Sequence, residues 1–436
     1  MKGSASHYLA QRAADGNPIR VGLVGVGQMG AGIVGQSLRV PGIAIAALAD
    51  TKPERAVAAL ERIGSDPIVI EDVAAGTDAI ASGRTAVTSQ AEMVPSLPVD
   101  VVVDATGLPE MGAKIGLAAA LAKTHLVTMN LEADVTIGRL LRGLFELSGR
   151  VYTIGAGDEP AVAMELVDFC RTIGLDVIAA GKGKNNPLRP AATQDELRAE
   201  AIAKRMNPRM LTEFVDGTKT MCEMTALANA SGLPIEVPGM HGPQADLADL
   251  PLVFRPKAEG GILGRAGVTD YVQGDVAPGV FVVVYSDDPD VVANLDYLKV
   301  GPGPYWALTR PFHLANIEIP MSIVRAVRDN RPTLVGEHHM SEVGATTKRP
   351  LVPGEVLEGI GGDQVHGYSW PAAPFEERNL VPLGLTFGAR VVKHVPAGSP
   401  LSLDDVELDE SSVLLRAWRL QAHLDTLGLG VLTAPS

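Results

Sequence analysis

Three glycines, Gly25, Gly27 and Gly30, end the apolar run Ile19 to Val24 and open a helical stretch, and an acid, Asp50, stands twenty residues past the last of them. That spacing suits a pyrophosphate. Gly25 permits a tight turn, Gly27 lets backbone approach the phosphates, and Gly30 lets the helix lie against the strand, while the helix N-terminus at Gln28 and Met29 offers amides to the negative charge. The expected ligand is a nicotinamide dinucleotide, NADPH or NADH. Asp50 would accept from the ribose 2′-hydroxyl of NAD, whereas Lys52 and Arg55 would neutralise the 2′-phosphate of NADP, and the residues leave both open. A glycine turn that binds nothing is the alternative.

A second group of side chains suits an anionic substrate. Between Lys182 and Arg209 stand seven basic residues (Lys182, Lys184, Arg189, Arg198, Lys204, Arg205, Arg209) against three acids (Asp195, Glu196, Glu200), in a chain of net charge −14. Such donors over a cleft recruit and orient a phosphate or carboxylate. Arg198 and Arg209 fit solvated helix faces better, whereas Lys182 and Lys184 alternate with glycines. Asp158 and Glu159 follow an apolar strand and precede a helix, so they either hold a divalent metal through oxygen or complement the helix dipole. Asp216 and Lys219 suit a carboxylate that orients a substrate hydroxyl and an ammonium that acts as an acid toward a carbonyl or alcohol oxygen, or equally a surface pair at a helix start. His241, His338 and His339 lack partners at metal-ligand spacing and receive no role. No G-x-S-x-G elbow or Cys/His nucleophile pattern occurs.

These residues need a scaffold, and the hydrophobic pattern supplies one. Up to about residue 150, strand-like and helical runs alternate, which predicts an α/β fold with a Rossmann dinucleotide-binding domain. Val99 to Asp104 and His125 to Asn130 read as buried parallel strands. Ligands bind at the carboxyl ends of such strands, which makes Thr106, Gly107 and Asn130 candidate contacts on the nicotinamide side, although Thr and Asn also simply end strands. Residues 151–299 are expected to form an α+β catalytic and dimerisation domain, with about 300–335 returning to complete the first. Residues 336–436, broken by Pro-Gly and Gly-Gly, are expected to form a small all-β module with a terminal helix.

At 436 residues, two or three domains are expected. The composition is 46% hydrophobic but only 4% aromatic, so Ala, Val, Leu and Gly must fill the interior. The negative charge argues against nucleic acid and anionic membranes as partners. Two cysteines, Cys170 and Cys222, give no disulfide framework. The first seventeen residues carry no signal-like apolar core, and no window approaches a membrane span, so a cytoplasmic protein is expected.

Several motifs carry a resemblance. Asp216 and Lys219 precede a helix ending Ala228-Asn229-Ala230-Ser231-Gly232, and with the first domain this is similar to homoserine dehydrogenases. The aspartate–lysine spacing is one residue shorter than in those enzymes. Where they read Val-Thr-Ala-Asn-Lys, this chain reads Val127-Thr128-Met129-Asn130-Leu131. Thr346-Thr347-Lys348-Arg349-Pro350-Leu351-Val352-Pro353-Gly354-Glu355-Val356-Leu357 and Val395-Pro396-Ala397-Gly398-Ser399-Pro400-Leu401 resemble the SAF, or antifreeze-like, domain.

Taken whole, the layout resembles the 1-deoxy-D-xylulose 5-phosphate reductoisomerase-like (DRL) family. The resemblance implies an NADPH-dependent step of isoprenoid precursor synthesis, a phosphorylated substrate, a divalent cation (Mg2+ or Mn2+) and a homodimer formed through the second domain. It implies Asp158 and Glu159 near the cation, and Lys182, Lys184, Arg189, Lys204 and Arg205 around the phosphate. Asp216 and Lys219 would then stand at the reacting oxygens. The competing readings are a homoserine-dehydrogenase-like oxidoreductase acting on a hydroxy acid or sugar acid without rearrangement, and a nonenzymatic NADP-binding sensor.

Overall fold

The structure, a computed structural model, describes residues 3–429, which divide into two compact units. The first unit holds residues 3–158, 314–335 and 412–429; the second holds 159–313 and 336–411.

The first unit is built on seven strands: β1 (Ile19–Val24), β2 (Ile43–Ala49), β3 (Pro67–Val69), β4 (Thr85–Thr88), β5 (Val101–Asp104), β6 (His125–Thr128) and β7 (Tyr152–Ile154). All pair in parallel, in the order β3-β4-β2-β1-β5-β6-β7. Continuous apolar runs such as Val101 to Val103 are buried, as a sheet covered on both faces by helices requires. The order reverses at β1, so the turns after β1 and β5 open at a topological switch point, where doubly wound sheets bind ligands.

Residues 314–335 also lie in this unit. Ile319, Ile323 and Val324 join its core, and the amide of Ile154 donates to the carbonyl of Leu334 at 2.9 Å, covering the sheet edge at β7. The helix Val413–Thr426 packs on the helices Pro109–Ala122 and Leu131–Ser148. Its start is capped from outside, because the Glu110 carboxylate accepts from the Ser412 hydroxyl and from the amides of Val413 and Leu414 at 2.7–3.1 Å. The terminal helix expected in the C-terminal module therefore lies in the first unit.

The second unit centres on a mixed sheet of β8 (Asp176–Gly183), β9 (Val268–Val272), β10 (Val280–Tyr285) and β11 (Tyr305–Arg310), ordered β11-β10-β8-β9. Only β8 and β9 run parallel. Tyr305–Arg310, expected to return to the first domain, is an edge strand here, paired along its whole length with β10. The helices Glu159–Thr172 and Thr218–Ser231 pack against each other and against this sheet, and a cluster around Leu250, Phe254, Leu263 and Phe281 packs on the other face.

The hairpin β12 (Ser341–Thr347) and β13 (Val365–Pro371) and the short pair β14 (Arg390–Val391) and β15 (Val406–Glu407) complete the unit. The expected β module is thus present, but it is not a unit of its own. Its hairpin lies along the helix Thr218–Ser231, held by polar contacts from one end to the other. The amide of Gly367 donates to Thr218 Oγ1 at 2.8 Å, the Ser369 hydroxyl to the carbonyl of Met221 at 2.9 Å, and the amides of Met340 and Ser341 to Asn229 Oδ1 at 2.8 and 3.0 Å. Among the described residues, no helix is long and apolar enough to cross a membrane.

Candidate functional site

In the first unit the glycine turn has the geometry its spacing predicts. Gly25 has φ +93°, a left-handed conformation that favours glycine, and a Cβ there would meet the carbonyl of Ala105 at 2.9 Å. At Gly30 a Cβ would strike the carbonyl oxygen of Gly25. Gly27 differs, because a Cβ there would meet nothing within 4 Å. It caps the helix Gln28–Ser37 without a side-chain bond, which leaves first-turn amides open to an anion. Gln28 is exposed and Met29 half-buried at this open start.

Asp50 is engaged by backbone. Its Oδ2 accepts from the amide of Val26 and its Oδ1 from the amide of Lys52, each at 2.9 Å, so it ties the glycine turn to the end of β2. Lys52 and Arg55 are exposed beside it. Thr106 donates its hydroxyl to Asp104 Oδ1 at 2.7 Å, and Gly107 turns the chain at φ +63°.

Asn130 has another task than the expected nicotinamide contact. It is 0% exposed, its Oδ1 caps the helix Leu131–Ser148 through the amide of Ala133, and its Nδ2 donates to the carbonyl of Leu108 at 2.8 Å and to Asp104 Oδ2 at 3.2 Å. Burial pushes the Asp104 carboxyl above its usual range, against these hydrogen bonds.

In the second unit the end of β8 delivers Lys182 into a buried carboxylate pair. Its ammonium donates to Glu159 Oε1 at 2.6 Å, at the start of the helix Glu159–Thr172, and to Glu223 Oε2, on the helix Thr218–Ser231. None of the three side chains is more than 8% exposed. His313 Nε2 stands 3.3 Å from the same Glu159 oxygen. Burial opposes the Lys182 charge, but the two carboxylates outweigh it and hold its pKa above the ordinary lysine range. Burial would likewise raise Glu159, and Lys182 with His313 overrides it and holds Glu159 low. For Glu223, burial and the Glu159 charge prevail and push its pKa up to about 7. Both carboxylates accept from the Lys182 ammonium, and their mutual repulsion in a buried site drives their proton affinities in opposite directions.

Lys184, just past β8, donates to the carbonyl of Phe214 at 2.9 Å, and burial together with the Lys182 charge lowers its pKa to about 8. Lys219 is half-buried, one turn before Glu223, whose charged form it favours. Asp216 is enclosed. Its Oδ1 accepts from the amide of Thr218 at 2.9 Å, and its Oδ2 lies 2.8 Å from the Lys348 ammonium. The carboxylate expected to meet a substrate hydroxyl instead fixes the start of a helix.

Arg189 and Lys204 share Glu200 at the surface, at 3.2 and 2.9 Å, and Arg205 is exposed with left-handed backbone, φ +55°. The structure therefore brings together Lys182, Lys184, Lys219 and Glu159, and leaves Arg189, Lys204 and Arg205 on exposed surface of the same unit. Glu223, His313 and Lys348 are the residues that sequence reasoning missed. Glu223 alone left a local signal, one helical turn after Lys219.

The carboxylate oxygens of Glu159 and Glu223 lie within 4.8 Å of one another, both buried, and Asp158, which precedes Glu159, is the last residue of the first segment of the first unit. An all-oxygen carboxylate set fits a hard divalent cation such as Mg2+ or Mn2+.

Residues 157–319 match the family model described as "Oxidoreductase DRL, catalytic domain". A search of curated proteins gives no match. Among solved structures, the chain is similar to a probable dehydrogenase from Thermotoga maritima (13% identity, 73% of this chain and 92% of that one, TM-score 0.43). It is also similar to scyllo-inositol dehydrogenase from Lactobacillus casei (12%, 74% and 92%, 0.42). A third likeness is to 1-deoxy-D-xylulose 5-phosphate reductoisomerase from Zymomonas mobilis (14%, 70% and 70%, 0.39). At such identities and scores these likenesses carry no functional weight. The stretch that matches an oxidoreductase catalytic domain is the one that holds Glu159, Lys182, Lys184, Lys219 and Glu223.

Proposed function

We propose that the chain is an NADPH-dependent reductoisomerase that converts 1-deoxy-D-xylulose 5-phosphate to 2-C-methyl-D-erythritol 4-phosphate. The observation that carries this reading is the buried Lys182–Glu159–Glu223 group with Lys184 beside it, inside the segment matched to an oxidoreductase catalytic domain. The reaction breaks one carbon–carbon bond and forms another, which turns the ketose into a branched aldehyde. Hydride from NADPH then reduces that aldehyde, and a proton completes the alcohol as NADP+ is left.

Such chemistry needs groups that exchange protons near neutral pH and fixed charge beside the reacting oxygens. Glu223, at about 7, serves as the base that takes the substrate hydroxyl proton, and Lys184, at about 8, returns a proton to the developing alkoxide. Lys182 supplies charge that does not titrate in this range, and Lys219 faces the reacting oxygens as a second ammonium. A divalent cation on Asp158 and Glu159 would polarise the ketone and its neighbouring hydroxyl. In the first unit, the open helix start at Gly27 receives the pyrophosphate, and Lys52 and Arg55 meet the 2′-phosphate, which favours NADPH over NADH.

The test is NADPH oxidation with this ketose phosphate and, in parallel, with hydroxy acids and sugar acids. Lys219→Ala is expected to lower kcat at least tenfold with NADPH affinity near normal. An unchanged kcat removes Lys219 from the mechanism, and turnover of only the unphosphorylated acids removes the reductoisomerase reading.

A further inference from the structure

The geometry points to Lys348 as a positioning residue of the catalytic unit, which acts through Asp216 to fix the first turn of the helix that carries Lys219 and Glu223. The Lys348 and Asp216 side chains are 1% and 0% exposed, and their charged atoms lie 2.8 Å apart. The ammonium also donates to two backbone carbonyls. Lys348 Nζ donates to the carbonyl of Ala192 at 3.0 Å and to the carbonyl of Gly362 at 2.8 Å, so one side chain joins the β module, the segment before the helix Gln194–Ala203, and Asp216.

Asp216 passes this restraint on. It ends the helix Pro208–Val215, and its second oxygen accepts from the Thr218 amide, the first residue of the next helix. Gly217 between them has φ +94°, and a Cβ there would press on Leu188 at 2.7 Å, so the sharp bend depends on glycine. From the other side, Thr218 Oγ1 accepts from the amide of Gly367 in β13. The Thr218 residue is therefore fixed on both sides by residues that reach it from, or are held by, the β module. One residue later comes Lys219, and one turn after that Glu223.

A buried ammonium with two carbonyl acceptors and one carboxylate partner is a rigid strut, because removing it leaves an uncompensated charge with no water to turn to. Its function differs from that of a general fold-stabilising pair in where the restraint ends. It ends on the helix start that aims Lys219, and not on a hydrophobic core.

The activity arm of the test rests on the reading proposed above; the exchange arm does not. In Lys348→Met, amide hydrogen exchange across residues 216–223 is expected to quicken at least tenfold while peptides covering residues 19–50 keep the wild-type rate. With 1-deoxy-D-xylulose 5-phosphate, kcat is expected to fall at least tenfold, with KM and the NADPH Kd within threefold of wild type. Where Lys348→Met does not fold, Lys348→Met/Asp216→Asn removes both charges. This double variant is expected to recover most of the melting temperature and to keep the low kcat. Unchanged exchange across 216–223, or a double variant that recovers kcat together with stability, overturns the proposal. If the wild-type protein does not turn over the ketose phosphate, the functional reading falls and the exchange result alone decides the role of Lys348.

Discussion

Lys182 and Lys184 stand two residues apart on one strand end and have opposite electrostatic fates. Lys182 gains two carboxylates in exchange for its water, and its charge is fixed. Breaking such a buried pair by removing one partner costs about 3–5 kcal/mol, so Lys182→Met is expected to lose that much stability, read by denaturant unfolding. Lys184 gains a carbonyl acceptor, and burial with the repulsion of Lys182 outweighs the attraction of Glu223 and Asp216 and lowers its pKa to about 8. If it delivers a proton as an ammonium, kcat falls as pH rises through about 8, and Lys184→Met is expected to lose that limb along with most of the rate.

His241 offers a stability counterpart elsewhere in the unit. Its Nδ1 lies 2.8 Å from Asp270 Oδ2, and its Nε2 lies 3.3 Å from Glu236 Oε2. The Asp270 hydrogen bond, aided by the charges of Asp270 and Glu236 against burial, raises its pKa above 6.5. A raised folded-state pKa gives stability that is complete below the unfolded value of about 6.5 and is lost as pH rises through the folded one. Thermal melting is therefore expected to weaken across that window in wild type and to be flatter there in His241→Gln.

At the scale of elements, the glycine turn separates two requirements that a sequence motif merges. A Cβ at Gly30 would strike the Gly25 carbonyl, whereas one at Gly27 would meet nothing within 4 Å. Gly30→Ala is expected to destabilise by about 1–3 kcal/mol, since the methyl group is forced onto the Gly25 carbonyl. Gly27→Val puts its side chain into open space and is expected to leave the melting temperature close to wild type while weakening NADPH binding at least tenfold, as titration of each variant checks. This strand, turn and helix were legible in the sequence because the apolar run, the glycine spacing and Asp50, which accepts from the Val26 amide, all lie within about thirty residues, although the turn also packs on Ala105. Asn130 was less legible: it follows a strand, but its side chain meets Asp104 at the end of the neighbouring strand and Leu108 just before the next helix, pairings that only the folded sheet brings about. Glu223 and Lys348 stayed hidden because their partners lie 41 and 132 residues away in sequence. Periodicity along a chain cannot show which buried lysine a glutamate will meet.

At the scale of the whole chain, both units are assembled from separated segments. The β stretch after residue 336 was legible as β structure from its Pro-Gly breaks, but its membership of the second unit comes from polar contacts along the helix Thr218–Ser231, and those have no local signature. The terminal helix is bound to the first unit through Glu110, through Arg139 and Asp425 at 2.8 Å, and through the buried Leu414, Leu415 and Ala417. Each buried leucine contributes about 1.5–3 kcal/mol. Ending the chain at residue 411 is therefore expected to lower the stability of the first unit by several kcal/mol and to reduce NADPH binding, with Lys182 and its carboxylates, in the second unit, retained.

The most direct test of the account is the fate of the carbon skeleton. The protein is incubated with 13C-labelled 1-deoxy-D-xylulose 5-phosphate, NADPH and Mg2+, and the products are followed by NMR. One NADPH is expected to be oxidised for each branched 2-C-methyl-D-erythritol 4-phosphate formed. An unbranched deoxypentitol phosphate, or a substrate left intact with NADPH bound and unoxidised, contradicts it.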